Sequence, residues 1–355
     1  MKASAVVFPE PNKVEFREVT CPDPGPQHVV VRLTHSWISV GTEGSFLRGE
    51  RITGDTPYCE GGPWPFPIVP GYQGVGVVEA VGKKITDLSL GDAVYRNFGA
   101  VEGMYFDFGG HISPSVCERD WVWKLPQSPD PVAFSGLLLA QVGVNCGTRA
   151  SNLERDASAL VIGDGPVGQW TAQTLARRGA RVCMTGMEDD RLALAEKLAG
   201  AKGINVLKEE WVDVVRKFAP DGLAVAADAA GSIESIENII PLMRRRGHIV
   251  SAGYYGSNDR ISIQSLRDLE LSVECVSGAT PERITQTLDL VAEGSLKTLP
   301  LITHHFPVQQ VQKAWATIIA DLPWKTTNAY GQRGGRRLFW VQREESLLGV
   351  ILDWE

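Results

Sequence analysis

Three glycines, Gly163, Gly165 and Gly168, stand within GDGPVG at residues 163–168. At the first position glycine allows a tight turn, and at the second it lets backbone approach a bound group with no side chain between. At the third it lets a helix lie close on a strand. If a helix begins at Pro166 and Val167, its first amides and the positive end of its dipole face outward, chemistry suited to a pyrophosphate. Such a turn needs a strand before it and a helix after it. Residues 159–162 are a short apolar run rich in branched side chains, and residues 169–178 carry apolar side chains on one side. Strand, turn and helix in that order predict dinucleotide binding at Gly163, Gly165, Pro166, Val167 and Gly168. An ordinary βα turn is the alternative.

The residue that ends the following strand discriminates between dinucleotides, because an acid there accepts from both adenosine ribose hydroxyls and repels a 2′-phosphate. Here the sequence runs Thr185-Gly186-Met187-Glu188-Asp189-Asp190-Arg191. Gly186 at the acidic position leaves room for NADP. Glu188, Asp189 and Asp190 oppose another dianion, and Arg191 is the local cation. The expected cofactor is NAD or NADP, with the balance toward NAD.

Around this turn the chain alternates strand and helix. Strands are expected at 159–162, 181–185, 224–227, 248–252 and 271–276, and helices at 167–178, 190–198, 210–218, 236–244 and 281–293, which predicts a doubly wound parallel sheet. Residues 1–126 read as β-rich, with strands near 5–8, 14–18, 29–33, 74–81, 93–95 and 115–124. Residues 38–71, with little periodicity, read as a long loop, and long loops inside compact domains are commonly functional. Residues 131–148 read as a buried helix. A strand at 301–306, a helix at 308–320 and a final strand at 348–354 follow.

The length of 355 residues accommodates two domains, and 43% hydrophobic with 22% charged residues is ordinary for a soluble protein. A net charge of −7 gives no footing for nucleic acid or an anionic membrane surface. Six scattered cysteines without a CxxC pair fit reduced thiols, and no signal peptide or membrane span is evident, so a cytoplasmic location is expected.

GTE at 41–43, PGYQGVGVVEAVG at 70–82, GD at 91–92, the glycine turn, AADAAG at 226–231, SAG at 251–253 and PLITHHFP at 300–307 occur in that order. Together they resemble the medium-chain dehydrogenase/reductase superfamily, the alcohol and sorbitol dehydrogenase relatives. The GTE variant and the LGVILDW ending look most like the branch near bacteriochlorophyllide-type dehydrogenases. The resemblance implies a GroES-like domain from residues 1–141 and 280–355 and a Rossmann domain from 142–279, with nicotinamide and substrate in the cleft between them. It also implies cofactor contacts at Ala252 and Gly253, and a homodimer or homotetramer paired along the strand from Leu271 to Val276.

The chain departs from the family pattern where zinc-dependent members hold their catalytic metal. The matching positions carry Val40, Tyr72, Gln73 and Ala140 or Gln141, none a good zinc ligand. The lobe at 95–111, matching the structural-zinc lobe, has no cysteine, and Cys59 with Glu60 supplies only two donors. His111, His304 and His305 read as satisfied surface or strand histidines. No metal is expected. Thr42 matches the hydroxyl that relays the alcohol proton, and Tyr72 replaces a ligand and offers a phenol to the substrate oxygen. Both carry a structural alternative, a turn threonine and a packing aromatic. Phe98 matches a substrate-pocket aromatic, Tyr58 is reminiscent of the donor of zinc-free enoyl reductases, and Glu43 is placed beside the substrate as an orienter or structural acid. The small-molecule substrate is then a secondary alcohol or polyol exchanged with a ketone. A zinc-free enoyl or quinone reductase and a dinucleotide-binding protein without catalysis are the alternatives.

Overall fold

The computed structural model describes residues 1–49, 66–127, 130–253, 255, 260–321, 326–327, 333–334 and 346–354. They form two compact units, Met1–Leu138 with Thr298–Gln342 and Gly349–Glu355, and Leu139–Lys297 with Arg343–Leu348. The second unit thus runs past residue 279. Its last stretch is tied in by the Gln173 side chain, which accepts from Lys297 N (2.7 Å) and donates to Lys297 O (3.1 Å).

The first unit is built on a mixed sheet ordered Val122–Lys124, Ala93–Asn97, Gln73–Val81, His28–Ile38, Gly349–Asp353, Ile302–Pro307, with Ser115–Glu118 also pairing with His28–Ile38. A smaller sheet joins Glu15–Thr20, Lys2–Val7 and Ile112–Ser113. Valines that face inward along these strands, among them Val29, Val31, Val78, Val94 and Val122, close one core cluster. The loop expected at 38–71 instead begins with a helix, Val40–Leu47.

The second unit is a parallel sheet of six strands, one more than the sequence reading gave. The addition is Lys202–Asn205, which pairs with Arg181–Gly186. Its order is Lys202–Asn205, Arg181–Gly186, Ser158–Ile162, Leu223–Asp228, Met243–Ser251, Ser272–Cys275. This is the 3-2-1-4-5-6 order of a Rossmann sheet, whose ligands lie at the carboxyl ends of the strands where the order reverses. Both faces are covered. In Ser158–Ile162, Ala159 and Val161 join one apolar cluster and Leu160 and Ile162 the other, as the two-residue period requires. At the far edge, Ser272–Cys275 pairs with Met243–Ser251.

Helices Leu137–Thr148 and Pro166–Arg177 approach closely through Gly143. A Cβ there would meet Trp170 Cβ at 2.6 Å and the Val167 carbonyl at 2.9 Å, and Thr171 Oγ1 donates to Val167 O (2.8 Å) and Gly143 O (3.3 Å). Among the described residues no helix is long and apolar enough to cross a membrane. Gly143→Val is therefore expected to overpack this contact at a cost of about 1–3 kcal/mol, lowering Tm by roughly 2–12 °C in a thermal melt.

Candidate functional site

The glycine turn sits at the carboxyl end of Ser158–Ile162, with the sheet reversal beside it. Gly163 holds φ +104°, a left-handed conformation that glycine adopts freely, and a Cβ on Gly165 would meet nothing within 4 Å. A Cβ on Gly168 would collide with the Gly163 carbonyl oxygen, so helix Pro166–Arg177 starts hard against the turn. Gly165 caps that helix without a side-chain bond, leaving its first amides to outside acceptors. Open space over Gly165 and amides with no side-chain cap fit a pyrophosphate, and a side chain at Gly165 would fill that cradle.

Across the reversal, Asp228 ends Leu223–Asp228 fully buried. Its Oδ1 accepts from Ala230 N (2.8 Å) and Gly231 N (3.1 Å), and its Oδ2 from Ser232 N (2.9 Å) and the Tyr255 hydroxyl (2.5 Å). Burial, then the charge of Asp228, holds the Tyr255 hydroxyl far above the usual tyrosine range, so it stays a donor. Ala252 N and Gly253 N donate to Asp228 O at 2.9 and 3.0 Å, which places both residues at this same sheet end.

Gly186 ends Arg181–Gly186, and Asp164 of the glycine turn reaches it. Asp164 Oδ2 accepts from Met187 N (2.8 Å) and Glu188 N (3.0 Å). Arg191, expected as a cation for the cofactor, is engaged elsewhere. It donates from Nε to Ser346 Oγ (3.1 Å) and from Nη2 to the Leu347 carbonyl, and Nη1 faces Asp164 Oδ1 at 3.6 Å. Asp190 accepts from Ser346 N (3.0 Å), so both residues fasten the chain that returns after residue 345.

In the first unit, Thr42 and Glu43 lie on helix Val40–Leu47. Glu43 is 1% exposed, and its Oε1 accepts the Ser39 amide (2.7 Å), as a capping box does one residue earlier in a helix. Its Oε2 accepts from His111 Nε2 (2.9 Å), and His111 Nδ1 pairs with Ser36 Oγ (2.8 Å), which also accepts the Trp354 indole N–H (2.8 Å). His111 is wholly buried and no surface histidine, and Glu43, buried on this pair, is not presented to a substrate. The two residues are 68 apart in sequence, so no local pattern announces the pair.

His111 also braces the Pro70–Tyr72 turn. A Cβ on Gly71 would lie 2.6 Å from its Nε2, and Gly110 N and His111 N donate to Pro70 O at 3.0 and 3.1 Å. The stretches bearing Thr42 and Tyr72 thus rest on one imidazole. Both residues are half-buried. The Tyr72 carbonyl accepts from Phe98 N (3.2 Å) and Asn97 Nδ2 (3.1 Å), and its ring lies 6.5 Å from Phe98. Phe98, at φ +43°, continues into an aromatic cluster through Phe108 (5.0 Å) and Trp121 (6.1 Å). Rings thus pack this lobe, which has no cysteine. Tyr58, Cys59 and Glu60 lie outside the described residues.

The zinc-matching positions do not make a ligand set. Val40 and Ala140 have no donor atom, Gln73 Oε1 accepts from Leu138 N (3.1 Å), and Gln141 Nε2 donates to Gly278 O (3.0 Å). Among the described residues no three His, Cys, Asp or Glu side chains are grouped to hold a metal ion. The five described cysteines are free thiols.

Comparisons with known proteins agree with the fold of the two units, and the relatives are of the zinc type. A family model described as "Alcohol dehydrogenase GroES-like domain" matches residues 39–127, and one described as "Zinc-binding dehydrogenase" matches residues 166–293. The chain is 26% identical over 348 residues to the 2-desacetyl-2-hydroxyethyl bacteriochlorophyllide A dehydrogenase of Cereibacter sphaeroides, covering 92% of this chain and all of that one. A solved structure described as a short chain alcohol dehydrogenase, RspB, of E. coli CFT073, complexed with NADH, superposes with a TM-score of 0.80 at 21% identity, covering 99% of each chain. One described as a zinc-binding dehydrogenase from Sinorhizobium meliloti 1021, bound to NADP, gives 0.75 at 18% identity over 99% of each chain.

Removing the Glu43 carboxylate leaves a buried imidazole and the Ser39 amide without their acceptor. Glu43→Ala is expected to cost roughly 3–5 kcal/mol in urea unfolding, while Glu43→Gln, which keeps an acceptor oxygen, costs clearly less.

Proposed function

The chain belongs to the medium-chain dehydrogenase/reductase superfamily and is an oxidoreductase, and from that premise we propose that it interconverts a secondary alcohol and a ketone without a resident metal. The observation that carries this reading is the glycine turn, with open space over Gly165 and uncapped amides behind it. The turn supports dinucleotide binding, and the family membership supports catalysis over a binding role alone. When bound, the nicotinamide exchanges a hydride with the substrate carbon. The chain itself must hold the dinucleotide, orient the substrate oxygen and handle a proton.

Amides at the start of helix Pro166–Arg177 hold the pyrophosphate, and the sheet end at Ala252 and Gly253 carries the remainder. The proton falls to hydroxyls. The Tyr72 phenol has an O–H to donate to an oxygen gaining charge in the reduction direction. Thr42 relays the proton, and the common support of both stretches on His111 favours their acting together. Preorganised donors act against little screening wherever bound substrate excludes water, which supports two hydroxyls in place of a cation. The bacteriochlorophyllide relative supports a substrate larger than ethanol. Cytoplasmic residence and a homodimer or homotetramer paired along the edge strand at Leu271 to Val276 complete the reading.

Tyr72→Phe and Thr42→Ala are each expected to lower turnover by roughly a hundredfold with cofactor affinity unchanged, and the double variant loses less than the product because both serve one oxygen. Full turnover by Tyr72→Phe leaves the ring a packing role only. Gly165→Val fills the cradle and is expected to abolish dinucleotide binding in a folded protein, as read by calorimetry beside circular dichroism. A panel of polyols, ketones, enones and quinones, run with dinucleotide deuterated at the transferable position, places the label on a carbinol carbon. Label on the carbon of a reduced C=C bond overturns the alcohol assignment.

A further inference from the structure

We propose that Asp164, rather than a residue at the strand end, selects the dinucleotide, accepting from the adenosine ribose and excluding a 2′-phosphate. This rests on the dinucleotide reading above and concerns the sugar end of the same site.

The geometry is one of mutual exclusion. A Rossmann sheet places an acid at the end of the second strand for the ribose, and here that position is Gly186. The three nearest atoms that a Cβ on Gly186 would meet all belong to Asp164: Oδ2, Cβ and Cγ, all inside van der Waals contact. No positive φ at Gly186 calls for glycine. What keeps a side chain out is the Asp164 carboxylate, which fills the place of the missing acid from the opposite side of the turn.

That carboxylate is oriented and has acceptor capacity left. Its Oδ2 takes the Met187 and Glu188 amides, while Oδ1 faces Arg191 Nη1 at 3.6 Å, beyond hydrogen-bond reach. Oδ1 can therefore accept a ribose hydroxyl. A 2′-phosphate would bring its charge against Asp164, with Glu188, Asp189 and Asp190 nearby. The nearby cations do not offset this. Arg191 is fastened to Ser346 and Leu347, and the Lys208 ammonium pairs with Asp189.

The test is equilibrium binding of NADH and NADPH to the intact chain, followed by calorimetry, so that no turnover is needed. The wild type is expected to bind NADH about tenfold or more tighter than NADPH, and Asp164→Asn, which keeps an acceptor for the two amides, to bring the two within about threefold, chiefly by gaining NADPH. Moving the acid, Asp164→Gly with Gly186→Asp, is expected to restore the NADH preference that Asp164→Gly alone loses. A folded Asp164→Asn protein with the wild-type ratio, or a wild type that prefers NADPH, overturns the proposal while leaving dinucleotide binding intact. Binding of neither dinucleotide by the wild type overturns the dehydrogenase reading and this proposal with it.

Discussion

Taking a carboxylate out of water costs several kcal/mol unless donors meet it, and Glu43 is withdrawn almost entirely. The donors come from two directions. One is the Ser39 amide of its own helix, and the other is His111, delivered from the lobe on the far side of the Pro70–Tyr72 turn. Satisfying that one group fixes the helix Val40–Leu47, the lobe, the turn and, through Ser36 and Trp354, the last described residue. Thr42 and Tyr72 inherit their positions from it. A proton-handling pair needs rigid support, because a misplacement of an ångström weakens any donor aimed at developing charge.

The dinucleotide unit obeys a different constraint, one of space. Gly168 permits helix Pro166–Arg177 to start against the turn, Gly165 leaves the pyrophosphate its place, and Gly186 yields its side-chain volume to Asp164. In the reading proposed here, the turn that cradles phosphate thereby also supplies the acid beside the sugar. Ser346 and Leu347, both buried, bind Asp190 and Arg191 beside this arrangement. The described part of the segment at 324–346 includes Thr326–Thr327 paired with Arg333–Gly334, and its end, Ser346, bonds to Asp190 and Arg191.

What the sequence made legible was local. The glycine roles occupy six consecutive residues, and buried strands such as Ser158–Ile162 declare themselves as short apolar runs. Helix Val40–Leu47 was hidden because Gly41 and Gly44 lower its propensity and its apolar residues trace no clean stripe. Lys202–Asn205 was hidden because Ile204 is its only large apolar side chain. Glu43 with His111 was beyond reach because side chains distant in sequence met through the fold. Asp164 was closer to legible: an acid inside a glycine turn and a glycine where an acid belongs are complementary signs, joined across 23 residues by the bond to Met187.

The central claim is that this chain moves a hydride's companion proton with its own hydroxyls and no metal. It is tested most directly by measuring metal content and turnover on one sample, before and after exhaustive chelation. The account predicts less than about 0.1 zinc per chain and a turnover that chelation does not change. About one zinc per chain, lost together with activity and restored by added zinc, would contradict it.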